Sequence, residues 1–108
     1  MKIVVLAAFP LETTAIIRHF TLRRSKSSGF MKMWTGPRFS LVETGIGKVN
    51  AAAATQYSID HEKPDILINV GLCGGFAKVT NIGDIVFPSY AVCHDNDQRV
   101  FCLLVNTT

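Results

Sequence analysis

Three groups of residues in this sequence have side chains or backbone suited to chemistry. Glu12 follows the first apolar run, and a carboxylate there can take a proton as a general base. Glycines 71, 74 and 75 follow a second apolar run, where missing side chains let a ligand approach the backbone. His94 and Asp95 are adjacent but lack the third group that a catalytic triad needs, so we leave them out of the catalytic set.

The glycines belong to the stretch 65–86, which organises the rest of the predicted fold. Residues 65–71 are apolar and β-branched, a pattern typical of a strand buried on both faces of a parallel sheet. Such a strand needs a helix on each side. Its carboxyl end, where the glycines lie, is where open α/β sheets bind ligands.

Glu12 is placed by the first strand and helix. Residues 2–8 form an apolar run that predicts a first central strand, and Pro10 ends it. Apolar residues at helical spacing predict a helix over 11–20, with Leu11, Ala15, Ile16 and Phe20 on its apolar face. A structural interpretation also fits Glu12, because a first-turn carboxylate favours the helix dipole by about 0.3–1 kcal/mol.

The remaining segments complete an α/β pattern. We expect a surface loop over 21–29, a β-hairpin with a Gly36-Pro37 turn, and an alanine-rich helix that ends before Pro64. Trp34 is expected to pack on the sheet. Further strands are predicted over 84–92 and 99–105.

Length and composition indicate one globular domain over residues 1–108. The net charge of +3 comes largely from basic residues within 18–32, which fit a solvated helix end and loop better than a nucleic-acid site. No apolar run reaches the roughly 18 residues of a membrane span, and we expect a cytoplasmic protein. Three cysteines without metal-type spacing predict neither a disulfide framework nor a metal site.

Four segments in order now carry a resemblance: residues 1–8 with Glu12, Thr44-Gly-Ile-Gly-Lys-Val-Asn-Ala-Ala, Lys63-Pro-Asp-Ile-Leu-Ile-Asn-Val-Gly-Leu-Cys-Gly-Gly, and Ile82-Gly-Asp-Ile-Val with His94-Asp95. Together they resemble the amino-terminal half of the methylthioadenosine/S-adenosylhomocysteine nucleosidases, in the nucleoside phosphorylase superfamily. The implied fold is a three-layer α/β/α domain with a mixed, largely parallel sheet, here incomplete.

The resemblance implies hydrolysis of the N-glycosidic bond of an adenine nucleoside, with water as nucleophile and no cofactor. Glu12 is similar to the family's catalytic glutamate, which activates that water beside an oxocarbenium-like transition state. Gly74 matches a glycine whose backbone contacts the nucleoside, although a purely conformational glycine is the alternative. A nucleoside is thus the expected small-molecule partner, with a homodimer as a further expectation.

The sequence departs from the family pattern in one place and limits the chemistry in others. Leu72 stands where the family commonly has a serine that helps hold the water, and the leucine side chain has no hydrogen-bonding group.

Cys73 has no identifiable activating base, so a catalytic role is disfavoured. The Gly45-Ile-Gly-Lys48 turn is not a P-loop, and in these hydrolases it shapes the ribose pocket. The loop between residues 7 and 12 has no phosphate-holding arginine, which favours water over phosphate.

The family's ribose-binding Met-Glu pair and its leaving-group aspartate belong to a second half that these residues do not match. Activity of the isolated chain is therefore open. The alternatives to a nucleosidase are a nucleoside phosphorylase or futalosine-hydrolase-like enzyme, and a non-catalytic nucleoside-binding or dimerising remnant.

Overall fold

The computed structural model describes residues 1–25 and 29–93. Five strands and two helices form in this part of the chain: β1 (Ile3–Ala7), α1 (Pro10–Phe20), β2 (Arg23–Arg24), β3 (Lys32–Thr35), β4 (Ser40–Glu43), α2 (Lys48–Glu62) and β5 (Ile66–Asn69). His94 and Asp95 lie outside the described residues, as do Cys102 and the strand predicted over 99–105.

The five strands form one mixed sheet in the order β2-β3-β4-β1-β5. β1 pairs in parallel with β4 on one side and with β5 on the other. β3 pairs antiparallel with β4 and with β2. The predicted α/β class, the hairpin and both helices are confirmed.

The core has two layers because successive side chains of a strand point to opposite faces of the sheet. On one face Val4, Leu6 and Val42 pack with Ala54 and Tyr57 of α2. On the other face Val5, Ala7 and Leu41 pack with isoleucines of α1. One helix thus covers each face, which confirms the three-layer architecture.

Local chemistry explains where the helices end. Pro10 fits the first turn of α1 because the helix needs no N–H there. Thr21 and Lys63 close α1 and α2 in the left-handed conformation, with φ of 50° and 47°. Pro64 follows directly, so α2 cannot continue.

Four sequence expectations are wrong, the last being the strand over 84–92. Residues 21–29 are not simply a loop, because Arg23 and Arg24 form β2, and Arg24 lies 5.0 Å over the Trp34 ring. Leu11 and Phe20 do not belong to the core: Leu11 is 70% exposed and Phe20 is 42% exposed, while Ile16 and Ile17 carry the contact with the sheet.

The third correction concerns the strand at 65–71, which was expected to be central and buried on both faces. β1 takes that place. β5 is an edge strand of the described sheet, and Ile66 and Ile68 are about 40% exposed. Within the described residues no further strand pairs with β5, because residues 84–92, predicted as a strand, have no regular secondary structure.

By its contacts the chain divides into two units, Met1–Gly74 and Gly75–Thr108. The described part of the second unit contains a turn in which the N–H of Thr80 donates to Phe76 O, and a second turn between Asn81 and Asp84. One domain over residues 1–108 stays a prediction. No helix within 1–25 and 29–93 is long and apolar enough to cross a membrane.

Candidate functional site

The candidate site lies where the carboxyl ends of β1, β4 and β5 meet. The backbone ladder continues past the strands, as the N–H of Thr44 donates to Ala7 O at 2.8 Å and that of Gly45 to Ala8 O at 2.9 Å. On the other side Val70 N–H donates to Leu6 O at 2.9 Å. The loops that follow these three strands are thereby held together at the carboxyl ends of the strands.

Glu12 is at the centre of these loops. Its Oε2 accepts a hydrogen bond from the N–H of Ala8 at 2.8 Å, directly after β1. Its Oε1 accepts one from the N–H of Leu72 at 3.0 Å, shortly after β5. The half-buried carboxylate therefore connects the ends of two neighbouring parallel strands, and the sequence prediction that it sits at a strand's carboxyl end is correct.

The two oxygens of Glu12 retain acceptor capacity. A carboxylate has about four lone-pair sites, and the two backbone N–H groups use one on each oxygen. A water molecule can therefore hydrogen-bond to a carboxylate whose position the backbone already fixes. The helix-dipole interpretation also stays open, because Glu12 lies in the first turn of α1.

Gly71 lies so close to Glu12 that a side chain at residue 71 would make the Glu12 carboxylate or the backbone shift. A Cβ at residue 71 would lie 2.8 Å from Glu12 Oε1, closer than real Cβ atoms approach another heavy atom. Sequence reasoning treated Gly71 only as part of a glycine-rich turn. The sequence carried no signal for this contact, because Gly71 and Glu12 are far apart in the chain.

Gly74 is in a different situation. A Cβ there would meet nothing within 4 Å, and the residue does not have a positive φ. Neither packing nor backbone conformation within the described residues requires glycine at this position. A nucleoside-contacting role for Gly74 stays a prediction.

Leu72 contributes through its backbone, which side-chain reasoning missed. Its side chain is 69% exposed, whereas its N–H is the group that binds Glu12. The absent serine hydroxyl therefore leaves this contact intact. Cys73 beside it is an exposed free thiol.

The turn after β4 is shaped by a glycine in a conformation that L side chains rarely adopt. Gly45 has φ of +87°, and a Cβ there would lie 3.0 Å from the Asn50 side-chain nitrogen. Asn50 Nδ2 donates to Ile46 O at 2.8 Å and stabilises the turn. Lys48 begins α2 with its side chain exposed.

A buried carboxylate that the sequence analysis missed lies next to this site. Glu43, the last residue of β4, is 8% exposed, and its Oε2 accepts a hydrogen bond from Thr13 Oγ1 at 2.7 Å. The sequence signal for Glu43 was a charged residue at the end of a predicted strand. Within residues 1–25 and 29–93, no three His, Cys, Asp or Glu side chains come together to hold a metal ion.

Comparison with known sequences gives a family and a set of relatives. The family model described as Phosphorylase superfamily matches residues 2–104. A 5'-methylthioadenosine/S-adenosylhomocysteine nucleosidase of Desulfotalea psychrophila is 39% identical over 105 residues, covering 94% of this chain and 45% of the relative. The chain therefore spans less than half of that relative's length.

Solved structures agree. The Streptococcus pneumoniae nucleosidase with a transition-state inhibitor superposes with a TM-score of 0.69 at 35% identity, over 78% of this chain and 38% of that one. The Arabidopsis thaliana 5'-methylthioadenosine nucleosidase superposes with a TM-score of 0.71 at 31% identity, over 77% of this chain and 42% of that one. The Colwellia psychrerythraea nucleosidase, solved with adenine, superposes with a TM-score of 0.66 at 30% identity, over 78% of this chain and 36% of that one.

Proposed function

Because this chain belongs to the phosphorylase superfamily, we propose that it forms part of a site that hydrolyses the N-glycosidic bond of an adenine nucleoside. The relatives named above are methylthioadenosine and S-adenosylhomocysteine nucleosidases, and one was solved with adenine bound. The single observation that carries the proposal is the placement of Glu12, held by two backbone N–H groups at the carboxyl ends of β1 and β5.

In the proposed reaction Glu12 holds a water molecule and takes its proton as the water attacks the anomeric carbon. The new C–O bond forms while the C–N bond to adenine breaks. The bonding electrons leave with the base, which takes up a proton from the leaving-group acid of the second half to become neutral adenine. The negative charge of Glu12 stabilises the oxocarbenium character of the transition state. Ala8 and Leu72 supply no proton; they keep the carboxylate in place, which lowers the entropic cost of reaching the reactive geometry.

The resemblance assigns a ribose clamp and a leaving-group acid to a second half outside these 108 residues. General acid–base help is typically worth about 10²–10⁴-fold in rate, so such residues set much of the activity. Nucleoside binding by this chain and turnover are therefore separate measurements. Gly74, at the end of the first unit, is our candidate for a backbone contact to the nucleoside.

Phosphorolysis is the second candidate reaction, because the family that matches is described as a phosphorylase superfamily. The loop from residue 7 to Glu12 has no arginine or lysine to hold a phosphate, so we favour water. Phosphate dependence separates the two reactions, since only a phosphorylase needs phosphate as the acceptor.

The test is adenine release from methylthioadenosine without phosphate, by the wild-type chain, Glu12→Gln and the control Asp60→Asn. Asp60 lies on α2, is exposed, and accepts a hydrogen bond from Gln56, one turn away. We expect Glu12→Gln to lose at least 100-fold in kcat and Asp60→Asn to match wild type. Full activity in Glu12→Gln contradicts the mechanism. Binding of methylthioadenosine without release of adenine supports a non-catalytic nucleoside-binding remnant.

We propose that the protein is cytoplasmic. We also propose a second copy of this chain as its macromolecular partner. Within residues 1–25 and 29–93 no strand pairs with the outer side of β5. This supports self-association, because an unpaired strand edge is a template for another strand, and Ile68 of β5 is 41% exposed. Sedimentation equilibrium of wild type and Ile68→Lys tests this. We expect a dimer that the lysine weakens; a monomeric wild type contradicts it.

A further inference from the structure

Thr13 and Glu43 form a buried polar pair beside Glu12. Thr13 is 1% exposed and Glu43 is 8% exposed, and their 2.7 Å hydrogen bond joins α1 to β4. Burying a carboxylate is costly unless a donor compensates it, and the threonine hydroxyl is such a donor. A hydrogen bond to an ionised acceptor is roughly twice as strong as one between neutral groups. This contact is therefore a strong local restraint between helix and sheet.

The restraint acts on the first turn of α1. Phe9, the residue before the helix, makes no side-chain hydrogen bond there. Its carbonyl oxygen accepts from the N–H groups of both Glu12 and Thr13, at 2.9 and 3.2 Å. The start of α1 is thus held to the strands by the side chains of two consecutive residues.

The two restraints reach different strands. Glu12 is bound to the backbone after β1 and after β5. Thr13 is bound to Glu43, which lies beside Ala7 in the register of β1 and β4. Because neighbouring helical residues turn together, freeing Thr13 allows the whole first turn, including Glu12, to rotate against the strand ends.

We propose that Thr13 and Glu43 are positioning residues that keep the Glu12 carboxylate on the N–H groups of Ala8 and Leu72. Their effect on catalysis rests on the proposed function, whereas their effect on the placement of Glu12 does not. Neither residue needs to touch the nucleoside. They act by fixing the first turn of α1.

Lys32 supplies a matched control. Its Nζ lies 3.9 Å from the other oxygen of Glu43, and its side chain is 54% exposed. At this distance the contact is too long for a hydrogen bond, and solvent reaches its lysine side, so it restrains Glu43 less than the buried hydrogen bond from Thr13 does. Removing it leaves the hydroxyl-to-carboxylate hydrogen bond in place, so Lys32→Gln separates loss of charge from loss of the restraint.

The test is amide hydrogen exchange measured by NMR on the full chain of wild type, Thr13→Val, Thr13→Ser and Lys32→Gln. The reporters are the N–H groups of Ala8 and Leu72. The internal references are Thr44 and Val70, whose N–H groups donate to backbone oxygens of the first strand. Valine has the shape of threonine without its hydroxyl, and serine restores the hydroxyl.

We expect Thr13→Val to speed exchange at Ala8 and Leu72 at least tenfold while Thr44 and Val70 keep their wild-type rates. Thr13→Ser and Lys32→Gln should match wild type. Unchanged exchange at Ala8 and Leu72 in Thr13→Val overturns the proposal. Equal acceleration at all four amides also overturns it, because that shows a general loss of stability.

Adenine release gives a second readout. We expect Thr13→Val to lower kcat about tenfold with KM little changed, and Thr13→Ser to restore it. A wild-type chain that neither binds methylthioadenosine nor releases adenine contradicts the proposed function, and the exchange rates then still decide whether Thr13 positions Glu12. Normal kcat in Thr13→Val, in a chain that is active, overturns the catalytic part of the inference.

Discussion

Glu12 Oε1 accepts a hydrogen bond at 3.0 Å from the backbone N–H of Leu72, a residue 60 positions later in the chain. This contact joins the first helix to the loop after β5. It depends on the backbone of residue 72 and on the absence of a side chain at residue 71. The side-chain identity of residue 72 and the placement of Glu12 are therefore separable properties of this site.

Gly71→Ala should displace the Glu12 carboxylate. The added Cβ would lie 2.8 Å from Oε1, so either Glu12 leaves the Leu72 N–H or the backbone after β5 shifts. We expect the free energy of unfolding to fall by about 1–3 kcal/mol, the usual range for an overpacked site, and exchange of the Leu72 amide to accelerate. Urea unfolding and NMR measure the two effects.

Gly29→Ala is the matched control for that substitution. A Cβ there would meet nothing within 4 Å, and the residue has no positive φ. We expect its stability to stay within about 0.5 kcal/mol of wild type, as for other surface substitutions. An equal loss of stability in the two variants would show that the cost of Gly71→Ala does not arise at Glu12.

Leu72→Ser tests the one clear departure from the nucleosidase pattern. The leucine side chain is 69% exposed, so its replacement should change stability by less than about 0.5 kcal/mol. The backbone N–H that binds Glu12 remains. If the chain hydrolyses methylthioadenosine, we expect the added hydroxyl to help hold the water and to raise kcat several-fold.

Leu72→Ala separates the hydroxyl from the loss of bulk in that experiment. It removes the same exposed side chain and adds no hydrogen-bonding group. We expect alanine to leave kcat at the wild-type level while serine raises it. Equal rates in the serine and alanine variants would refute a role for the hydroxyl.

The elements that could be predicted from sequence are those whose signals are local. Pro10, the alanine run and Pro64 mark the two helices, and Gly36-Pro37 marks the hairpin turn. Glu12 was found because it lies in the first turn of the helix that follows the first strand, and because the motif order resembles a known family. Apart from the order of the motifs, each of these signals lies within a few residues of the structure it specifies.

The features that sequence reasoning missed depend on partners distant in the chain. β5 appears as a central strand because its residues are apolar, yet its exposure is set by whether another strand pairs beside it. Thr13 and Glu43 are 30 residues apart, and nothing in either segment alone indicates their hydrogen bond. Leu72 was judged by its side chain, while its backbone makes the contact.

The two-layer core predicts a large difference between two leucines of this chain. Leu41 in β4 is fully buried against Val5 and the α1 side of the sheet, whereas Leu11 on α1 is 70% exposed. Leu41→Ala should lower the free energy of unfolding by about 2–5 kcal/mol, because it removes buried methyl groups and leaves a cavity. Leu11→Ala should change it by less than about 0.5 kcal/mol.

Urea denaturation followed by circular dichroism measures both variants, with the midpoint and the slope of each transition compared with wild type. The sequence pattern placed Leu11 on the apolar face of α1, so a sequence-only interpretation predicts a marked loss of stability for Leu11→Ala. A clear loss in Leu11→Ala together with a small effect of Leu41→Ala would contradict the described packing of α1 on the sheet. The expected order instead supports an α1 anchored through Ile16, Ile17 and Thr13.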